Sequence, residues 1–153
     1  MKPEQWWADI KRQNLGRSVR DKRLVANSLL IYIDSEPGDK SGYVFWLEPT
    51  WHYCGHERVI AGSRQAQTDD EEEFHQIADA LLGIVGLTLV EMEIEARTFD
   101  LKVTFEDGSY VKTFVADPND EEQWHITDNA TEHQLYGSPR GLGIHERRLK
   151  PGP

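Results

Sequence analysis

Sulfur is scarce in this chain: one cysteine, Cys54, and two methionines, so no intrachain disulfide can form. Long apolar runs are also missing. The longest, Leu81 to Val90, has ten residues and is broken by Gly83, Gly86 and Thr88, whereas a membrane-spanning helix needs about 20. The N-terminal MKPEQWWADIKRQ has no apolar run after its first basic residue, so it does not read as a secretory signal. No internal repeat of fixed period is present, no linker separates two hydrophobic halves, and no catalytic signature stands out. These absences lead to the expectation of a cytoplasmic, soluble, non-enzymatic protein without a cofactor.

What is present suits one domain. At 153 residues the chain can bury most of the surface its unfolded form exposes, and five Trp, five Tyr and five Phe supply large core side chains. Its charge falls in three blocks. Residues 1–30 carry seven Lys or Arg against three acids, residues 31–138 carry 23 acids against six bases, and residues 139–153 carry four bases against one acid. An acidic body of this kind repels nucleic acid and anionic membranes and steers basic protein surfaces toward itself.

Local pattern gives the elements. Pro3 and the spacing of Trp6, Trp7, Ile10 and Leu15 predict a short N-terminal helix ended by Gly16, followed by a basic lead-in from Arg17 to Arg23. Strands are expected at Ser28–Asp34, whose SLLIYI is too apolar for an exposed edge, and at Gly42–Glu48, with further extended runs at Trp51–Tyr53 and Arg58–Ala61. Thr68 as cap, acids in the first turn, and Phe74, Ile77, Ala78, Leu81 and Leu82 at helical spacing predict the principal helix over about 69–82. Residues 87–95 then alternate, with Val90, Met92 and Ile94 on one face and Glu91, Glu93 and Glu95 on the other.

Leu101, Val103 and Phe105 continue the buried face, and Asp107-Gly108 turns the chain into Tyr110–Val115. A two-residue loop there sets Tyr110 opposite Phe105. A three-residue loop with a glycine bulge sets Val111 there and sends Thr113 and Val115 inward; it is favoured because the other register turns Lys112 to the core. Trp124–Ile126 adds a short strand. The expected architecture is one α+β domain over 1–138, a mostly antiparallel sheet of six to eight strands with one principal helix and a minor N-terminal one. The Gly- and Pro-rich residues 139–153 read as an irregular basic tail.

Ligand chemistry has one candidate cluster, WHYCGHE, where His52, Cys54 and His56 fall at i, i+2 and i+4. Neighbouring members lie about 7 Å apart along a strand and can converge on one metal, whereas the outer two converge only if Gly55 breaks the strand. The plainer reading leaves the histidines solvated and Cys54 buried as a small apolar residue. A nucleophilic Cys54 is disfavoured, because acidic surroundings raise a thiol pKa. The run Asp69 to Glu73 is read as a helix start favoured by the dipole or as a contact for a basic partner. Glu91, Glu93 and Glu95 form a like-charged ladder that cross-strand Lys102 and Lys112 can offset. Among the clustered aromatics Tyr43, Phe45, Trp46, Trp51 and Tyr53, alternation sends some outward, and Trp46 or Trp51 is a candidate anchor.

The stretch Leu81 to Phe114, with VEMEIEARTFDLKVTFEDGSYVKTF and then Trp124, together with the upstream EPTWHY and VIAGS, resembles a pattern of small uncharacterised bacterial α+β proteins. Some of those are encoded beside secreted toxins and look like immunity proteins, which occlude a toxin's active site. The resemblance covers about two thirds of the chain, through structural glycines and core positions, and carries no catalytic residue across. It implies an immunity-type inhibitor of a basic protein, a cognate toxin. The expected contacts are Glu91, Glu93, Glu95, Asp70, Glu71 and Glu72, with Trp46 or Trp51 at the centre. The alternative is a small metal-dependent enzyme or metal-binding protein using His52, Cys54 and His56.

Overall fold

Helix α1, Pro3–Asn14, starts on a proline that needs no amide partner and carries Lys11 and Arg12 in its last turn, where the helix dipole favours cations. It buries Ile10 and lays Trp7 against Trp124, with ring centroids 6.3 Å apart. Gly16, at φ +85°, turns the chain out of the helix. The computed structural model describes residues 1–147; residues 148–153, the end of the expected tail, lie outside the described residues.

Among the described residues, eleven strands follow in two antiparallel sheets. They are β1 (Val19–Val25), β2 (Ser28–Ile33), β3 (Tyr43–Leu47), β4 (Trp51–Cys54), β5 (Val59–Gly62), β6 (Leu89–Ile94), β7 (Leu101–Phe105), β8 (Tyr110–Thr113), β9 (Trp124–Asp128), β10 (Gln134–Ser138) and β11 (Gly141–His145). The six-stranded sheet runs β1-β2-β3-β9-β10-β11 and the five-stranded sheet β5-β4-β8-β7-β6. The α+β class is as expected, with more strands than the six to eight anticipated. Three account for the difference: β1 in the basic lead-in, and β10 and β11 around the expected start of the tail.

Helix α2, Glu71–Ala80, continues into a 3-10 turn over Leu81–Ile84. Its cap is Asp70, which accepts from the Glu72 and Glu73 amides at 2.9 and 3.3 Å, instead of Thr68. The Thr68 hydroxyl bonds Glu73 at 2.6 Å. Val90 is also displaced from its expected face. A bulge between Leu89 and Glu91 leaves Val90 52% exposed and gives Leu89 and Met92 the inward positions. In the β7–β8 hairpin, Val103 pairs with Val111 and Thr104 with Tyr110, which puts the three-residue loop at Glu106–Gly108 and Phe105 opposite Ser109. Neither expected partner of Phe105 is found. Val111 and Thr113 nevertheless face inward and Lys112 outward, as the favoured form required.

Both sheets and both helices feed one hydrophobic cluster. Leu29, Ile31, Phe45, Leu47, Trp124 and Ile126 come from the larger sheet, Trp51, Tyr53, Leu89, Met92, Val103 and Phe105 from the smaller, and Ile10, Ile77 and Leu81 from the helices. A backbone seam joins the sheets, because the segment entering β1 pairs with the segment entering β6. Gly16 and Val19 amides donate to Leu89 and Leu87 carbonyls, and Leu89 and Gly86 amides donate to Arg17 and Val19 carbonyls, all within 2.9 Å.

A buried polar knot makes the second join. The Asp100 carboxylate accepts from Thr113 Oγ1 and Gln123 Nε2 at 2.9 Å and from the Val115 amide at 3.3 Å, while Thr113 Oγ1 accepts from the Leu101 amide. Asp100, Thr113 and Gln123 are all buried. Satisfied in this way, a carboxylate can sit between the two sheets without the full desolvation penalty.

Candidate functional site

Strand alternation gives the larger sheet a second face, turned away from the core. Leu30, Trp46, His125, Tyr136 and Gly143 stand in register across β2, β3, β9, β10 and β11. The Trp46 and His125 rings stack with centroids 5.3 Å apart. Tyr136 lies over Gly143, where any Cβ would meet its ring, and stacks on His145 at 4.3 Å.

Above β9, β10 and β11 this face opens into a cavity of about 1030 Å³, bounded by Glu48–Thr50 and by the acidic loop before β9. That volume lies at the upper end of ordinary ligand sites. Among the described residues its wall carries the carboxylates Glu48, Asp120, Glu121 and Glu122, the imidazoles of His125 and His145, the Tyr136 ring and a single guanidinium, Arg140. The acidic loop is tied across it. Glu122 Oε1 lies 2.5 Å from His145 Nε2, and Arg140 donates to the Asp120 carbonyl at 3.4 Å. The Asp120 carboxylate accepts from the Ala116 and Asp117 amides and so shapes its own loop. Burial holds His125 down to a pKa of about 4; the Glu122 charge opposes that shift and His145 adds to it. At neutral pH His125 is therefore an uncharged imidazole on the cavity wall.

The residues singled out from sequence are distributed differently. Glu91 and Glu93 are exposed on β6, the edge strand of the smaller sheet. They are close enough that a hydrogen bond donated by the protonated Glu91 carboxyl to Glu93, then the Glu93 charge, push the Glu91 carboxyl pKa up. Lys102 stands opposite Glu93 and Lys112 opposite Lys102, and each ammonium lies over an aromatic ring, Tyr110 at 4.4 Å and Phe114 at 5.0 Å. Glu95 closes the turn after β6, accepting from the Thr98 amide and hydroxyl and the Arg97 amide, and these bonds lower its pKa. Asp70 is spent as the helix cap, whereas Glu71 and Glu72 are exposed on the first turn of α2.

Trp51 is corrected as an anchor. It is 1% exposed, and its indole nitrogen donates to the Asn27 carbonyl at 2.8 Å, so it belongs to the core. Trp46 is half-buried beside the cavity wall. His52, Cys54 and His56 are not gathered. The His52 ring packs edge-on against Phe114 at 4.4 Å, and burial, then the Lys112 charge, lower its pKa. Cys54 is buried opposite Tyr110, whose hydroxyl pKa is raised first by a hydrogen bond with the thiol. His56 is exposed in the β4–β5 turn, near Gly108. β4 keeps regular register against β8 as far as Cys54 and the chain then leaves the strand, with the bulge in this hairpin falling on β5 at Ile60. Among the described residues no group of three or more His, Cys, Asp and Glu side chains is placed to hold a metal ion, and no helix is long and apolar enough to cross a membrane.

Glu122, His125, Tyr136 and His145 escaped the sequence reading because the histidines share no spacing along the chain. Their signal lies in alternation, visible only once β10 and β11 are recognised as strands. Comparison with protein-family models, with curated proteins and with solved structures finds no match for the chain. Its class rests on its own architecture: a two-sheet α+β domain with an acid-rimmed cavity outside the larger sheet.

Proposed function

We propose that the protein is a non-enzymatic binding protein, an immunity-type inhibitor, that engages a basic protein partner such as a toxin. The observation that supports this reading most is the cavity wall, where among the described residues four carboxylates stand against one guanidinium. A concave, partly aromatic surface with that excess of negative charge suits a protruding basic segment and gives both long-range steering and close complementarity. Glu71, Glu72, Glu91 and Glu93, exposed elsewhere on the surface, add to the field that draws such a partner in. Asp70 and Glu95 have structural duties and are not proposed as contacts.

Expression of the adjacent gene's product in a sensitive bacterial host, with and without this chain, tests the reading. Protection by the wild-type chain is expected. Glu48→Gln, Glu121→Gln and Glu122→Gln together should slow association about tenfold or more at low salt, with a smaller loss at high salt. Absence of both protection and complex formation would overturn the immunity reading, and undiminished association by the triple variant would remove the cavity from it.

A further inference from the structure

We propose that residues 116–122 form a strap beside the cavity, clasped by the Glu122–His145 pair and released when the His145 imidazole loses its proton. The device belongs to the free chain, so it stands or falls independently of the immunity reading. Both ends of the strap are fixed. On one side the Phe114 amide donates to the Thr50 carbonyl at 2.8 Å and the Val115 amide to the Asp100 carboxylate at 3.3 Å. On the other the Gln123 amide donates to the Gly137 carbonyl and the Gln123 carbonyl accepts from the Glu48 amide, both at 2.9 Å, while the Gln123 side chain is buried in the Asp100 knot.

The residues between bond mainly to one another. The Asp120 carboxylate accepts from the Ala116 and Asp117 amides, and Asp117 accepts from the Asn119 and Asp120 amides. Among the described residues only two hydrogen bonds leave the strap, and both reach the β10–β11 hairpin. Arg140 to the Asp120 carbonyl, at 3.4 Å, is longer than a strong N–H···O bond, so Glu122 with His145 at 2.5 Å is the principal tie. Ala116 to Asn119 are exposed, and a segment with few outward bonds and little burial opens at low cost.

The clasp is titratable. While the carboxylate is ionised and the imidazole protonated, the bond is charge-assisted; an uncharged ring offers Glu122 only a neutral N–H. Imidazoles change charge between about pH 5 and 8, so the closed strap is favoured in mild acid and loses that advantage as pH rises through the titration of the ring. Besides Glu122, the groups that share this wall with His145 are the Tyr136 phenol stacked on it from β10, His125 from β9, Arg140 from the β10–β11 turn, and Asp120 and Glu121 of the strap itself. His125, already neutral above about pH 4, does not change charge in the same range.

Nuclear magnetic resonance of the isotope-labelled chain between about pH 5.5 and 8.5 tests the strap. The Asn119, Glu121 and Glu122 amide signals should move with the midpoint of the His145 ring. Relaxation dispersion should report an open population about two- to fivefold larger at the upper pH than at the lower. Glu122→Gln and His145→Gln should each keep the strap in its high-pH behaviour throughout, whereas His75→Gln, exposed on α2, should leave the wild-type response intact. Strap signals that ignore the His145 midpoint, an open population that is undetectable or unchanged by pH, or a response that survives in both clasp variants overturns the proposal.

Discussion

His125 is neutral in the folded protein down to about pH 4, while in the unfolded chain it titrates near 6.5. Between those values the unfolded state binds the extra proton, so this group's contribution to stability is present above about pH 6.5 and is lost as pH falls toward 4. The loss is expected to be on the order of 2–3 kcal/mol. Urea unfolding of wild type and His125→Phe at pH 7 and pH 4.5 should show a flatter pH dependence in the variant; parallel curves would assign the acid sensitivity to other groups. Asp100 gives a second expectation. Asp100→Ala leaves Thr113, Gln123 and the Val115 amide without their shared acceptor, and should cost about 3 kcal/mol in urea unfolding. At this scale sequence was a partial guide. Alternation sent Met92, Leu101, Val103 and Phe105 inward as expected, but it could not reveal that Asp100 and Gln123, far apart in the chain, share a hydrogen bond. Trp51 was ambiguous for a similar reason, because its burial depends on the Asn27 carbonyl of a distant hairpin.

Elements with strong local chemistry were legible: α1 from its proline, α2 from its acids and apolar spacing, and β2 from an apolar run that belongs inside a sheet. The missed elements lack those marks. The β1–β2 hairpin turns at Ala26 and Asn27, with Ala26 at φ +53°, in place of a glycine-bearing turn, and β1 carries Arg20, Lys22 and Arg23. In β10 and β11 the glycines looked like breakers, yet two of them make room for rings. An added Cβ at Gly137 would lie 2.4 Å from the Trp124 indole, and one at Gly143 would lie 2.2 Å from Tyr136. Gly137→Ala is therefore expected to cost about 1–3 kcal/mol, read from chemical denaturation, and to shift the indole signal of Trp124. Gly143→Ala should displace the Tyr136 ring from its stack on His145 while costing less stability, since Tyr136 lies on the half-exposed face.

The molecule as a whole is expected to unfold in one step. The single cluster draws side chains from both sheets, so neither has a core of its own. Far-ultraviolet circular dichroism and tryptophan fluorescence should give coincident urea transitions; two separated transitions would mean that the sheets fold independently. The charge blocks also acquire places at this scale. The first basic block lies largely on α1 and the edge strand β1, and the acids gather on the cavity loop, the start of α2 and β6.

The seam between the sheets has a kinetic consequence. Its four amides, at Gly16, Val19, Gly86 and Leu89, bridge two segments some 70 residues apart in the chain, so local fraying of either sheet cannot release them unless the seam itself parts. Their protons should exchange with deuterium among the slowest in the molecule, on the timescale of global opening. The short stretch between α1 and β1 is thus the latch by which the protein records whether it is folded at all.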